Sequence, residues 1–246
     1  MEQIITLEKV DSTNKYASTN FDSLPDKALI ISKIQTAGRG RRQTPWVSPD
    51  HVNLYASYVL KTVNFNVSMS SWVGGLATLY ALRELAPQKE FWIKWPNDTF
   101  CGNKKISGVL CETVSDVNNK IKGIVIGIGI NINMTSEELK KIEKPATSLI
   151  VETGKEVSVI ETAKILFKHL DTFTVETIKN YESLYNLWKK ENKIVGKKVT
   201  IEVIGKEILT GKVVDIKPSG ELYVVDEAGA FHTIYSGDVT IKSFIY

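Results

Sequence analysis

Residues 104–114 read KKISGVLCETV and residues 122–132 read KGIVIGIGINI, and the stretch between them carries the pair Asn118-Asn119. Both runs are rich in β-branched residues, which favour the pleated backbone. Asparagine tolerates the left-handed conformation that a tight turn needs, so the pair predicts a reversal between neighbouring strands. Upstream, residues 91–95 (FWIKW) form another apolar β-type run, followed closely by Gly102-Asn103, a second turn pair. Three such runs predict an antiparallel or mixed sheet.

Working outward, Val52, Leu54, Ala56, Tyr58 and Leu60 recur at every second position while Tyr55 and Val59 keep the other face apolar. That is the pattern of a strand covered on both sides. Residues 28–34 add a β-rich run that leads into a loop rich in glycine and arginine. Asp11, Ser12 and Thr13 supply capping oxygens for a short helix over 14–20. Met69, Trp72, Val73, Leu76, Leu79, Tyr80 and Leu82 fall at helical spacing within 68–86, with Pro87 as the stop. One further helical region is expected over 158–191, with Ile165, Leu166, Leu170 and Phe173 on one stripe and Tyr181, Leu184, Tyr185 and Trp188 on another.

Beyond Asn192 the texture changes to short alternating strands over 199–204, 208–216, 222–225 and 231–235, separated by Gly205, Pro218-Ser219-Gly220 and 226–229. A small β-barrel is the expected outcome. The chain therefore divides into an α/β domain over 1–191 with a mixed sheet and helices, and a barrel over 192–246.

Thirty-one basic against 28 acidic residues leave a formal charge of +3, too little for general affinity for nucleic acid. No run is long and apolar enough to span a bilayer, so a soluble, cytoplasmic protein without membrane contact is expected. Cys101 and Cys111 match neither a redox nor a zinc spacing and are expected to be reduced and packed. The three histidines show no metal-ligand spacing, and no serine sits in a GxSxG elbow, so metal-dependent or triad hydrolysis has no support.

Four segments carry chemistry. Residues 35–42, QTAGRGRR, set two glycines among three arginines after a strand, so backbone N–H and guanidinium groups can meet a phosphate or carboxylate. Gln43 stands where a dinucleotide fingerprint would have its third glycine, and Pro45, Trp46 and Pro49 disfavour the helix such a fingerprint requires. Residues 95–98, WPND, end a strand with an amide and a carboxylate at a sheet rim; taken alone such a run is more often a plain β-turn. Residues 104–110, KKISGVL, put an ammonium on a strand otherwise made for burial, where it requires an anionic partner or an edge. Residues 127–133, GIGININ, space glycines along one side of a strand, which suits a flat ligand or tight strand packing.

Together with Trp46, these segments in this order resemble the motif set of the biotin protein ligases, from residue 11 to the C-terminal barrel. The resemblance implies an α/β catalytic domain shared with lipoate ligases, followed by an SH3-like β-barrel. It begins near the N-terminus, which implies the form lacking a DNA-binding segment. It also implies two steps: biotin and ATP give biotinyl-5′-AMP and pyrophosphate, and a lysine of a biotin carboxyl carrier protein, from acetyl-CoA carboxylase or another biotin-dependent carboxylase, then takes the biotinyl group. Mg²⁺ is implied with ATP.

By the same resemblance Arg39, Arg41 and Lys105 surround the reacting groups. Ser12, Thr13, Asn14, Gln35, Gly38, Arg39, Gly40, Arg41, Trp46, Lys105 and Gly108 fall where the family holds biotin. Arg41, Arg42, Asn97, Asp98 and Asn131 fall near the nucleotide, Asp98 as a contact for Mg²⁺ or the carrier lysine. No resident metal ligand is expected, and a homodimer stays open. Residues 38–46 match the mobile loop that closes over the adenylate, with Gln43 departing from the usual glycine. A lipoate or octanoate ligase shares the fold and adenylate chemistry, and a nucleic-acid-binding module is the alternative of a different class.

Overall fold

The computed structural model describes residues 3–61, 66–202 and 208–242, and the ends of the strand and turn expected over 203–205 lie outside them. In chain order the elements are β1 (Ile4–Val10), α1 (Thr13–Thr19), β2 (Leu29–Gln35), β3 (Leu54–Leu60), α2 (Ser70–Leu85), β4 (Phe91–Lys94), β5 (Asp98–Cys101), β6 (Lys104–Ser115) and β7 (Ile121–Ile130). There follow α3 (Ser136–Leu139), α4 (Leu149–Thr153), α5 (Val159–Lys179), α6 (Tyr181–Glu191), β8 (Lys198–Glu202), β9 (Leu209–Ile216), β10 (Leu222–Asp226), β11 (Phe231–Ile234) and β12 (Asp238–Ile241).

The first seven strands form one mixed sheet in the order β1-β2-β3-β7-β6-β5-β4. Only β1 and β2 run parallel; the other neighbours are antiparallel. The expected reversal between β6 and β7 is present, with Asn119 at φ 60° in the turn. The expected helix over 14–20 begins one residue earlier, capped by the Ser12 side chain. In this sheet two strands escaped the sequence reading: β1, whose burial alternates irregularly at the sheet edge, and the four-residue β5. Residues 95–97 accordingly form the turn between β4 and β5, and Asp98 opens β5 rather than ending β4.

One face of the sheet carries α2, α5 and α6. Trp72, Leu76, Leu79 and Leu82 of α2 are buried there against Ile93, Val109 and Ile126 of the sheet and Leu166 and Leu170 of α5. Each such side chain contributes about 1.5–3 kcal/mol by leaving water. Gly74 lets α2 approach, since a Cβ there would stand 2.8 Å from Val109. The helical region expected over 158–191 is made of two helices, one for each apolar stripe: Asn180 leaves the helical region at φ −152°, ψ 82° and its side chain caps the next helix by accepting from Ser183 N–H. No glycine or proline marks that break.

The C-terminal strands pair as an antiparallel five-stranded sheet, β11-β10-β9-β8-β12, with β11 and β12 at the ends of the pairing order among the described residues. The last of these, β12, had no counterpart in the sequence reading. This sheet shares one apolar cluster with the first domain through Val199, Ile201, Val213, Ile216 and Leu222. Tyr185 of α6 donates to the Ile216 carbonyl at 2.6 Å, Trp95 donates to the Gly220 carbonyl at 2.8 Å, and a Cβ on Gly220 would stand 3.1 Å from the Trp72 ring. These contacts fix the second sheet beside the β4–β5 turn. Cys101 is buried and Cys111 half-buried, both as free thiols, and burial pushes each up to about 12.

Candidate active site

The sheet face opposite α2 carries the site, and its floor is glycine. In the β6–β7 register Gly108 lies across from Gly129 and Leu110 across from Gly127. A Cβ on Gly127 would fall 2.1 Å from Asn14 Oδ1, and one on Gly129 would fall 2.5 Å from the Trp46 ring. One on Gly108 would meet Lys105 and Trp46 at 3.1 and 3.2 Å. The glycines thus let an amide, an indole and an ammonium lie directly on the sheet.

One end of the resulting cavity is neutral and polar. Thr13 and Asn14 enter from the start of α1 and Gln35 from the end of β2, with Ser57 of β3 buried behind them. Gln35 Oε1 accepts from the Thr13 N–H at 2.9 Å, and Gln35 Nε2 donates to Ser48 at 3.3 Å. The buried Ser57 hydroxyl lies 2.9 Å from Thr13 Oγ1 and donates to Asn14 Oδ1 at 2.6 Å. Asn14 Nδ2 donates to the Leu110 carbonyl and to Glu112.

The other end is cationic. Lys105 Nζ pairs with Asp98 at 2.7 Å and stands 5.4 Å over the Trp46 ring. Arg39 stands where the two ends meet, paired at 3.4 Å with the Glu112 carboxylate that also accepts from Asn14; Arg41 donates to Asn97 Oδ1 at 3.2 Å, and Arg42 donates to the Glu202 carbonyl at 3.1 Å. Lys94 projects into the same space over Phe100, its ammonium pulled below the usual lysine range by burial, with Asp98 opposing. Burial likewise lowers Arg41, again opposed by Asp98. From the C-terminal sheet comes Asp238; burial pushes its carboxyl up, but the Lys144 hydrogen bond at 2.9 Å, with Arg42 and Lys94 nearby, leaves it below the ordinary range.

The loop at residues 38–46 is held by itself rather than open to an anion. The Gly40 N–H, expected to face a phosphate, donates to the Thr44 carbonyl at 2.7 Å, and the Ala37 N–H donates to Asp11. The loop's capacity for anions therefore sits in its guanidinium groups. Arg42 and Gln43 both adopt positive φ, 54° and 59°. For a residue with a side chain that conformation costs about 1–2 kcal/mol, and at Gln43 a glycine would avoid it.

The two ends join in one cavity of about 620 Å³, lined by Ser12, Thr13, Asn14, Gln35, Arg39, Gly40, Arg41, Arg42, Trp46, Asn97, Asp98, Lys105, Gly108 and Asn131. Of the residues singled out from sequence, Gly38 alone stays behind the wall: it leaves room for Gln35, Ser48 and the Trp46 carbonyl. Asn131 is buried and donates to the Thr147 carbonyl at 3.0 Å, while its neighbour Asn133 pins Val157 instead. Sequence reasoning missed Lys94, Ser57, Asp238 and the 141–146 segment. That segment is strapped along Lys105, whose N–H donates to the Pro145 carbonyl and whose carbonyl accepts from Thr147. Lys94 adjoins the WPND motif and its charge on an apolar strand was a usable signal; the others had none.

A neutral hydrogen-bonding end and a cationic end in one cavity suit a ligand with a polar ring and an anionic tail, met by a second anion. The model of the biotin/lipoate A/B protein ligase family matches residues 6–131. The chain belongs to this family. The model of the biotin protein ligase C-terminal domain matches residues 194–242. The biotin–[acetyl-CoA-carboxylase] ligase of Paracoccus denitrificans is 32% identical over 71% of the chain and 77% of the relative. The ligase of the same name from Mycobacterium tuberculosis is 26% identical over 94% and 88%. Among solved structures, a biotin protein ligase from Aquifex aeolicus in complex with biotin and ATP aligns with TM-score 0.82 and 28% identity, covering 98% of this chain and 99% of that one. That alignment spans both the mixed sheet and the C-terminal sheet described above.

Proposed function

We propose that the chain is an ATP-dependent biotin protein ligase, residues 1–191 acting as its catalytic unit with residues 192–246 closing one side of the site. The convergence of Arg39, Arg41 and Lys105 on a single cavity with Thr13, Asn14 and Gln35 carries this reading. A biotin carboxylate and a triphosphate repel each other, so cations must stand between them before an oxygen–phosphorus bond can form. Lys105 and Arg39 receive the carboxylate, and Arg41, Arg42 and Asn131 face the nucleotide. The carboxylate oxygen bonds the α-phosphorus as the bond to pyrophosphate breaks, giving biotinyl-5′-AMP. A carrier lysine amine then attacks the activated carbonyl, and AMP leaves. The hydroxyl and amide groups at the polar end suit a ureido ring, which both donates and accepts. That match, and the names of the relatives, favour biotin over lipoate.

No cluster of three His, Cys, Asp or Glu suited to a metal occurs among the described residues. Asp98 is engaged by Lys105 and Asp238 by Lys144, so the residues present do not fit a resident Mg²⁺. The ion is taken to arrive with ATP as part of the substrate. The carrier is proposed to be the biotin carboxyl carrier of a carboxylase, met in the cytoplasm; no helix among the described residues is long and apolar enough to cross a membrane.

Incubation with biotin, ATP, Mg²⁺ and a biotin carrier domain, read by intact mass, tests the reading. One biotinyl group added to the carrier is expected. A carrier that stays unmodified with biotin but gains a lipoyl group from lipoate would overturn it.

A further inference from the structure

Glu112 follows Gly108 and Leu110 along the cavity face of β6, yet nothing in the chemistry above uses it. Its two oxygens serve two segments distant in sequence. Oε2 accepts from Asn14 Nδ2 at 2.8 Å, and Oε1 pairs with Arg39 at 3.4 Å. The second Asn14 N–H goes to the Leu110 carbonyl at 3.1 Å. Both donors of the amide are thus spent on β6, and its oxygen stands over Gly127, where it accepts from Ser57 at 2.6 Å. Turned the other way, the amide oxygen would face a carbonyl and a carboxylate, two acceptors with no proton between them.

We infer that Glu112 is a positioning residue that holds the Asn14 amide with its oxygen toward the cavity, ready to accept from a ring N–H of the substrate. Ser57 uses one lone pair of that oxygen and leaves the other for the ligand. A neutral acceptor alone, the Leu110 carbonyl, would hold the amide less firmly, because hydrogen bonds to a charged acceptor are about twice as strong as neutral ones. The Arg39 contact is a separate consequence of the same carboxylate and ties the arginine loop to β6. This inference rests on the biotin-ligase reading and adds a residue to it.

Two variants separate the contacts. Glu112→Ala removes both, whereas Glu112→Gln keeps an oxygen for Asn14 Nδ2 and loses the charge opposite Arg39. Steady-state biotin-dependent pyrophosphate exchange is measured for wild type and both variants, with KM for biotin and for ATP, beside thermal melting. In Glu112→Ala the KM for biotin should rise about tenfold, with ATP KM and kcat nearly unchanged. Glu112→Gln should stay within about threefold of wild type in biotin KM, since its amide oxygen still accepts. Equal rises in both KM values, an unchanged biotin KM in Glu112→Ala, or a Gln variant as impaired as Ala would each overturn the inference. If Glu112→Ala melts much lower than wild type, Glu112→Met, which keeps the bulk, replaces it with the same expectations. A wild type that shows no biotin-dependent exchange takes down the ligase reading itself; exchange in wild type with a failed variant pattern takes down only the role of Glu112.

Discussion

Replacing Lys105 by methionine keeps an unbranched side chain of similar bulk and deletes the ammonium. In the folded protein that ammonium pairs with Asp98 at 2.7 Å, with the two side chains 30% and 19% exposed, and stands 5.4 Å over the indole. A charge-assisted contact of this kind is worth about 1.5–3 kcal/mol to a bound carboxylate, or roughly one to two decades in affinity. In the transition state more charge gathers at the α-phosphate, and removal of one preorganised donor from such a site costs about 10²–10³ in rate. The adenylation rate should therefore fall about a hundredfold or more. The fold should survive, because Asp98 keeps Lys94 and Arg41 as cationic neighbours. The assay is biotin-dependent pyrophosphate exchange, with melting temperature as the control. Exchange within a few-fold of wild type in Lys105→Met would refute the electrostatic argument.

Arg41→Gly removes donors to Asn97 and to the Gly237 carbonyl, which tie the loop to the β4–β5 turn and the C-terminal sheet. The variant should release biotinyl-adenylate and label bystander lysines, detected by blotting a mixture of carrier and an unrelated protein; labelling confined to the carrier would contradict this. Gly127→Ala would drive a methyl group to 2.1 Å from Asn14 Oδ1, so biotin affinity by calorimetry should fall at least tenfold. The Asp238 carboxyl, held below its ordinary range chiefly by Lys144 against the opposing effect of burial, contributes stability that is present above about pH 4 and lost as the pH falls through the folded value. Asp238→Asn should therefore flatten the acid limb of a melting-temperature profile below about pH 4, and an acid limb identical to wild type would show that the pair contributes nothing.

What the chain itself determined is local. The arginine-glycine loop, the WPND turn, the lysine-bearing strand and the glycine-spaced strand are contiguous, and each carries its chemistry within a few residues. Alternation and helical spacing likewise located β2, β3, β6, β7 and α2, because side-chain period follows directly from backbone geometry. Where an element is short or its burial irregular the signal fails: β1 alternates irregularly, β5 and β12 have four residues each, and the break at Asn180 has no glycine or proline to announce it.

Tertiary structure alone decided which groups meet. Arg41 reaches a carbonyl 196 residues away, Asn14 finds Glu112 at a separation of 98, and Lys144 finds Asp238 at 94. No local pattern encodes such pairs, since they arise from the order in which strands join the sheet and from where the second sheet docks. The same is true of Ser57, one buried hydroxyl among apolar neighbours on β3, whose partners Thr13 and Asn14 lie more than 40 residues earlier in the chain. The motif residues state what chemistry is available; the sheet brings neutral and cationic ends onto one glycine floor.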